Sequence, residues 1–221
     1  MSMEGCITSI ARQKNDTRRA SIFLDGEFAF GVCDETVERF RLRKGDYIDR
    51  DLFEKITEFD YEVEAKRIAL HYLNYRARSE KEIRERLEKE DIPEVVAHRV
   101  IEFLKGYNFI NDEVWSQSFV SDTLMRKPVS SRQLAFGLAQ KGVSKEIIEE
   151  TIQKLNANES DVDRAFKAAE KRWPRILQSE RDPRRQKQKL YTFLAGRGFA
   201  FETIDEVFKG LAKDGGSGED D

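Results

Sequence analysis

The 221-residue sequence predicts a mainly α-helical protein: an elongated, curved array of three tandem three-helix repeats behind a small N-terminal β-hairpin/α module. Two observations carry this prediction. A set of apolar residues recurs at the same offsets in three segments, and an Asp-Gly pair near the N-terminus separates two short apolar runs. The composition agrees, because 37% charged against 39% hydrophobic residues suits small helical modules with much surface.

The repeat is defined by apolar residues at offsets 0, +4, +9, +18 and +21 from starting positions 51 and 56 residues apart. In chain order these residues are Ile83, Leu87, Ile92, Ile101 and Leu104, then Leu134, Leu138, Val143, Ile152 and Leu155, then Leu190, Leu194, Phe199, Phe208 and Leu211. Spacings of three and four place side chains on one face of a helix. One unit of this size buries its apolar face poorly, so we expect neighbouring repeats to stack.

Capping signals delimit the helices inside the repeats. Ser79 followed by Glu82 is the capping-box pattern, in which two side chains satisfy two free amide groups of the first helical turn. Ser130 and Gln133 repeat this pattern in the second unit. In the third unit two prolines and many charges predict a long link between the first and second helices, from Pro174 to Lys189.

The N-terminal module is predicted from its turn residues. Asp25-Gly26 lies between apolar runs, and both residues tolerate the positive φ of a tight hairpin turn. Asp34 is a candidate N-cap for a short helix, and a second helical pattern begins at Asp51. The predicted domains are residues 1–60 (β-hairpin plus short helices), 61–110, 111–158 and 159–211 (the three repeats), and 212–221 (a disordered acidic tail).

The residues that usually carry chemistry are sparse. His71 and His98 have neither metal-ligand spacing nor a nucleophile motif around them, and Cys6 and Cys33 form no disulfide framework. The glycines form no phosphate-binding loop, and no segment approaches the roughly 20 apolar residues of a membrane span. We therefore expect a protein that is not an enzyme, binds no metal or cofactor, and lies in the cytoplasm as a monomer without membrane contact.

Basic residues are the candidate binding residues. Arg76 and Lys127 both lie seven residues before their repeat's starting position, in the link between the first and second helices. The candidate partner- or DNA-binding residues are Arg76, Arg78, Arg126, Lys127, Arg132, Arg184, Arg185 and Lys187. Cations spaced along a stacked array fit a long polyanion, or a filament formed on one. The alternative is that each of these cations is only a solvated surface charge. The net charge of −3 argues against general polyanion binding by the whole protein.

Several motifs together resemble the RecX family, the modulators of the RecA recombinase. They are Leu73–Ile83 (LNYRARSEKEI), Phe109–Glu113 (FINDE) followed by Phe119-Val120, Arg126-Lys127-Pro128, Lys141-Gly142-Val143 and Gly198-Phe199. The resemblance covers about residues 61 to 211. The segment Phe23–Gly31 is similar to the N-terminal extension of some Gram-positive members.

The resemblance implies a cytoplasmic, non-enzymatic regulator made of three tandem three-helix units. Family members bind in the groove of the RecA filament on single-stranded DNA, and they limit filament growth, strand exchange and the co-protease activity that triggers the SOS response. Some members also contact DNA. Two other hypotheses stay open at this point: a direct DNA-binding protein of helix-turn-helix-like repeats, and a general helical-repeat scaffold.

Overall fold

The structure, a computed structural model, describes residues 4–214 and is mostly helical, with one small sheet near the N-terminus. Its elements are β1 (Gly5–Arg12), β2 (Arg19–Leu24), β3 (Glu27–Cys33), α1 (Asp34–Phe40), β4 (Tyr47–Ile48), α2 (Arg50–Leu73), α3 (Glu80–Glu88), α4 (Glu94–Gly106), α5 (Asp112–Arg126), α6 (Ser131–Gln140), α7 (Lys145–Asn158), α8 (Asp161–Ser179), α9 (Pro183–Ala195) and α10 (Phe201–Asp214). The chain divides into two compact units between Ile110 and Asn111. The predicted acidic tail lies, from residue 215 onward, outside the described residues.

The predicted hairpin is confirmed. Strands β2 and β3 pair antiparallel around Asp25 (φ 49°) and Gly26 (φ 93°), in a four-stranded sheet of order β3-β2-β1-β4. The two-residue strand β4 was not predicted, because it is too short to show an alternating pattern. The predicted cap Asp34 is wrong by one position: it is the first residue of α1, and Cys33 occupies the N-cap without a side-chain hydrogen bond.

One helix serves both parts of the first unit. Helix α2 is 24 residues long; its Ile56 is buried in the core of the β module, while Ala65 and Ala69 are buried in the core of the first repeat. It therefore continues through the predicted domain boundary at residue 60. Because two neighbouring cores share α2, the helix gives no break at residue 60 by which that boundary could be tested. The predicted domain boundaries therefore stay predictions.

The three predicted helical triplets are confirmed as α2–α4, α5–α7 and α8–α10. The first two register positions of each triplet are no more than 1% exposed; these residues are Ile83, Leu87, Leu134, Leu138, Leu190 and Leu194. Each triplet has its own cluster of buried apolar side chains. The repeated apolar register therefore marks core positions, since its remaining members are buried in these clusters or partly buried against them.

Both predicted serine caps form, but they differ in completeness. Ser79 accepts a hydrogen bond from the amide of Glu82, whose carboxylate accepts from the amide of Ser79, so the capping box is complete. Ser130 accepts from the amide of Gln133 at 3.2 Å. The Gln133 Oε1 atom is buried without a hydrogen-bond donor among the described residues, so the second half of this box is missing.

The long link predicted in the third repeat is wrong. Helix α8 continues through Pro174 to Ser179, and α9 begins at Pro183, which leaves a link of only three residues, Glu180 to Asp182. An internal proline costs a helix about 3 kcal/mol. Here α8 buries Ala169 before the proline and Ile176 after it, in one core shared with α9 and α10. Packing on both sides of Pro174 keeps the helix continuous.

Candidate partner-binding surface

The eight predicted cations divide between the two units. Arg76 and Arg78 lie in the loop between α2 and α3 of the first unit, and the other six lie in the second unit. Their surroundings differ in one respect that matters for binding. Some cations are held by carboxylates or aromatic rings of their own repeat, whereas others have no such partner.

Arg76 is held by its own repeat. Its guanidinium makes two hydrogen bonds to the carboxylate of Glu82, at 2.8 and 3.2 Å, and a third to the carbonyl oxygen of Ala77. The hydrogen bond to Glu82 raises the pKa of Arg76 above its ordinary value. Because Glu82 also completes the cap of α3, Arg76 stabilises the start of that helix. About half of the Arg76 side chain is exposed and can contact a partner.

Arg78 is also engaged within the first unit. Its guanidinium carbon lies 3.7 Å from the centre of the Tyr72 ring, a cation–π contact, and its buried Nε has no acceptor among the described residues. With Tyr75 and His71 it lines a cleft of about 390 Å³. This arginine is half-buried, so it presents a flat, partly desolvated cation rather than a freely solvated charge.

The second repeat presents three free cations. Arg126 is the last residue of α5, Lys127 is its C-cap, and Arg132 is the second residue of α6. All three are exposed, and within residues 4–214 none of their side chains pairs with a carboxylate. An exposed cation without an internal partner can meet an external anion without first breaking a bond of the fold.

The third-repeat cations lie on a helix rather than in a loop. Arg184, Arg185 and Lys187 occupy the first turns of α9 and are exposed. Arg185 approaches Asp182 at 3.8 Å; in the described part of the chain Arg184 and Lys187 have no carboxylate partner. They are positioned by the cap of α9, in which Asp182 accepts from the amide of Arg184.

A second group of cations in the third repeat surrounds an aromatic ring. Arg197 stacks on Phe193 at 3.9 Å, and Arg172 lies 5.5 Å from the same ring. Burial, and then the positive charge of Arg172, lower the pKa of Arg197. Since one face of Phe193 is covered by a guanidinium, this ring is poorly suited to base stacking.

Sequence reasoning missed the buried arginine that joins the second and third repeats. Arg164 is 1% exposed and donates to Ser131 Oγ (2.7 Å), Asn156 Oδ1 (2.9 Å), the carboxylate of Asp161 and the carbonyl oxygen of Glu159. Ser131 in turn donates its amide to Asp161. A signal was present, because Arg164 lies four residues before the buried Ala168 and so on the apolar face of α8.

A second polar cluster ties the β module to α2. The carboxylate of Asp60 accepts from the amide of Cys33 (2.6 Å), the hydroxyl of Thr36 (2.7 Å) and the guanidinium of Arg19 (3.2 Å). Burial, followed by the charge of Asp60, raises the pKa of the Cys33 thiol to about 12. The sequence carries no signal for this cluster, since its members are up to 41 residues apart.

Two features that other classes of function need are absent from the described residues. In the part of the chain that the structure describes, no group of three or more His, Cys, Asp or Glu side chains could hold a metal ion. None of the helices between residues 4 and 214 is long and apolar enough to cross a bilayer. The candidate site is the set of cations described above, which the helical triplets carry.

These features define a class: a protein built of three-helix repeats that carries exposed cations. Three family models match the chain: the regulatory protein RecX N-terminal domain over residues 5–49, the first three-helix domain of RecX over 65–104 and the third over 159–208. "Regulatory protein RecX" of Clostridium beijerinckii is 34% identical over 204 residues (92% of this chain, 94% of the relative), and that of Clostridium acetobutylicum is 32% identical over 207 residues (93% and 96%).

Solved structures agree with the sequence relatives. A crystal structure of regulatory protein RecX aligns with a TM-score of 0.67 at 27% identity, covering 92% of this chain and 98% of that one. The crystal structure of RecX from Lactobacillus salivarius aligns with a TM-score of 0.61 at 26% identity, over 69% and 97%. The chain belongs to the RecX family of regulatory proteins.

Proposed function

We propose that this protein is a non-enzymatic cytoplasmic regulator that binds the RecA filament on single-stranded DNA and inhibits its recombinase and co-protease activities, and so acts in DNA repair, recombination and the SOS response. The observation that carries the proposal is the similarity, over more than nine-tenths of the chain, to proteins named regulatory protein RecX. The triplet architecture supports it, because an array of modules can contact several subunits of a filament at once.

The contact residues we propose are the predicted cations, with Arg126, Lys127 and Arg132 first among them. These three have no carboxylate partner in the described chain, whereas Arg76 is paired with Glu82. Unpaired cations at a binding surface speed association and strengthen contact with acidic surfaces or phosphates. Arg76 and Arg78 contribute to the shape of the α2–α3 loop as well as to its charge.

The test is RecA-driven ATP hydrolysis on single-stranded DNA, titrated with the protein and with the double variant Arg126→Ala/Lys127→Ala. Both residues are exposed, so the variant folds and melts like the parent. We expect its half-inhibitory concentration to rise about tenfold, which corresponds to about 1.4 kcal/mol of lost binding free energy.

The matched control also removes two positive charges, but from lysines that carboxylates of the chain already neutralise. Lys145 pairs with Glu149 at 3.6 Å and Lys209 with Asp205 at 2.6 Å, so Lys145→Ala/Lys209→Ala should inhibit like the parent. Equal inhibition by the Arg126/Lys127 variant would remove these two residues from the contact surface. A parent protein that leaves ATP hydrolysis unchanged at saturation would contradict the proposed function itself.

Direct DNA contact is a second candidate, favoured by the third repeat. Arg184 and Lys187 on α9, and Arg172 and Arg175 on α8, are exposed and have no carboxylate partner among residues 4–214. Binding through phosphates weakens steeply as salt rises. If this candidate is right, duplex DNA without RecA binds tightly at low salt, and Arg184→Ala/Lys187→Ala reduces the slope of log K against log salt by about two.

A further inference from the structure

The third repeat contains a cleft between two of its helices that carries an excess of positive charge. The cleft lies between α8 and α9 and has a volume of about 680 Å³, within the range of about 300–1,000 Å³ that is common for small-ligand sites. The residues that line it are Arg172, Arg175, Ile176 and Ser179 from α8 and Gln188, Lys189, Thr192 and Phe193 from α9. Three of these eight described residues are cations, and none of the eight is an aspartate or a glutamate. The charge of the cleft therefore favours an anionic ligand.

The three cations of the cleft differ in whether the chain already neutralises them. Lys189 pairs with Glu180 at 2.9 Å, and the hydrogen bond from Lys189 lowers the pKa of that carboxyl group. Arg172 and Arg175 are exposed, and neither pairs with a carboxylate among residues 4–214. They are three residues apart on α8, so both side chains lie on the helical face that lines the cleft. Two positive charges therefore remain in the cleft without a partner in the described chain.

A third arginine adds to this charge from beside the cleft. Arg197 stacks on the ring of Phe193 at 3.9 Å, and Arg172 lies 5.5 Å from the same ring, so two guanidinium groups share one aromatic side chain. The buried Nε atom of Arg197 has no acceptor among the described residues. Burial, and then the charge of Arg172, lower the pKa of Arg197, so the two guanidinium groups repel each other. An anion bound at Arg172 would offset this repulsion.

The chemistry of the cleft favours phosphate over the carboxylates of a protein segment. A guanidinium group donates two parallel hydrogen bonds to phosphate or to carboxylate oxygens, so the arginines alone do not distinguish these ligands. A protein segment also needs apolar contacts at the centre of its interface. Only two of the eight lining residues are apolar, and of these Ile176 is buried in the core while a guanidinium group covers Phe193. A phosphate group needs only positive charge and hydrogen-bond donors, which Arg172, Arg175 and the side-chain amide of Gln188 supply.

We propose that the cleft between α8 and α9 is a phosphate-binding site, in which Arg172 and Arg175 bind the phosphate oxygens and Gln188 donates to them from the facing helix. The same chemistry fits two sources of phosphate, a free nucleotide and the backbone of a nucleic-acid strand. The site does not require binding to RecA, so the proposed function and this inference can fail separately. It goes beyond direct DNA contact, because it predicts that a phosphate compound without sugar or base also occupies the cleft.

The test is isothermal titration calorimetry of the purified full chain with pyrophosphate, at constant ionic strength and without RecA or DNA. We expect saturable binding, weakened by about tenfold or more in Arg172→Gln/Arg175→Gln, because this variant loses both guanidinium groups. The matched control is Lys171→Gln/Arg181→Gln, which removes two exposed positive charges from the same repeat but outside the cleft. The control should change the affinity by less than about twofold. All four positions are exposed, so both variants fold, and circular dichroism melts check this.

Competition then distinguishes the two sources of phosphate. Pyrophosphate should displace both labelled ATP and a labelled single-stranded oligonucleotide from the parent, and the one with the lower dissociation constant identifies the source. Three outcomes overturn the phosphate site. The first is a parent protein that does not bind pyrophosphate. The second is an equal loss of affinity in the two double variants, which would show an effect of net charge alone. The third is displacement of pyrophosphate by an oligoglutamate peptide at equal concentration, which would assign the cleft to carboxylates.

Discussion

At the scale of single residues, the main distinction is between charges used by the fold and charges left free. Arg76, Arg164, Arg126 and Arg132 are the same residue type but have different surroundings in the structure. The first pair is bound to carboxylates within the chain, and the second pair has no such partner in the described structure. A partner can bind the free cations without disrupting the helices that carry them.

The buried arginine provides the first prediction. Arg164→Met should lower the free energy of unfolding of the protein by about 3 kcal/mol, because it leaves Asp161 without its buried partner and removes the contact to Ser131. Arg132→Ala, at an exposed neighbouring position, should change it by no more than about 0.5 kcal/mol. Urea denaturation followed by circular dichroism measures both. Equal stability of the two variants would mean that Arg164 does not hold the second and third repeats together.

The Cys33 thiol provides a pH-dependent prediction. Its pKa is raised by burial, and then by Asp60, from an ordinary 9.0 to about 12. The folded state therefore keeps the proton while the unfolded chain loses it, so the stabilising contribution is complete below about pH 9 and is lost as pH rises towards 12. Relative to Cys33→Ala, the parent should lose about 1 kcal/mol of stability between pH 8 and pH 10. A stability difference that is the same at both pH values would contradict this assignment.

At the scale of elements, each triplet follows one pattern with local variations. The complete capping box of Ser79 and Glu82 starts α3, and the half-complete version at Ser130 starts α6. In the second repeat the amide of Ser130 does not donate to the side chain of Gln133. It donates instead to the carbonyl oxygen of Arg197 in the third repeat, at 3.1 Å. The cap of the second repeat is therefore also part of its junction with the third.

The turn that makes this contact depends on a glycine. Gly198 has a φ of +83°, and a Cβ there would lie 2.6 Å from Ser130 Oγ, so Gly198→Ala should both strain the backbone and displace the cap of α6. Gly26→Ala is the matched control, because Gly26 has a φ of +93° but nothing within 4 Å of its Cβ position. Gly26→Ala should lower the free energy of unfolding by about 1–2 kcal/mol, the cost of the backbone strain alone. Thermal melts should rank Gly198→Ala as the less stable variant; the reverse order would show that the close approach to Ser130 is unimportant.

At the scale of the whole molecule, the chain is two compact units with two apolar cores each. The first unit holds the cores of the β module and the first repeat, and the second holds those of the second and third repeats. Within each unit the two cores are tied by a polar cluster around a buried charge, Asp60 in the first and Arg164 in the second. Repeat proteins gain stability from such interfaces between neighbours as well as from each module.

This organisation predicts that the chain can be divided at the boundary between the units. Fragments 1–110 and 111–221 should each be helical and melt cooperatively, because each contains all members of its polar cluster and both of its cores. Division of the second unit after residue 158, into fragments 111–158 and 159–221, should instead destabilise both fragments. This cut separates Arg164 from Ser131 and Asn156. Circular dichroism melts of the four fragments test this. Cooperative melting of fragment 159–221 to the same temperature as 111–221 would contradict the role of the junction.

The sequence by itself determined the three triplets, their core positions and the hairpin, because these follow from interactions over a few residues: the 3.6-residue period of a helix, a capping serine, the positive φ of Asp-Gly. Only the tertiary structure decided that α8 continues through Pro174, that Arg164 is buried, and that Arg76 is bound to Glu82. A charged side chain is buried or free according to neighbours that lie far away in sequence, such as Ser131, 33 residues from Arg164. Local patterns do not encode those neighbours.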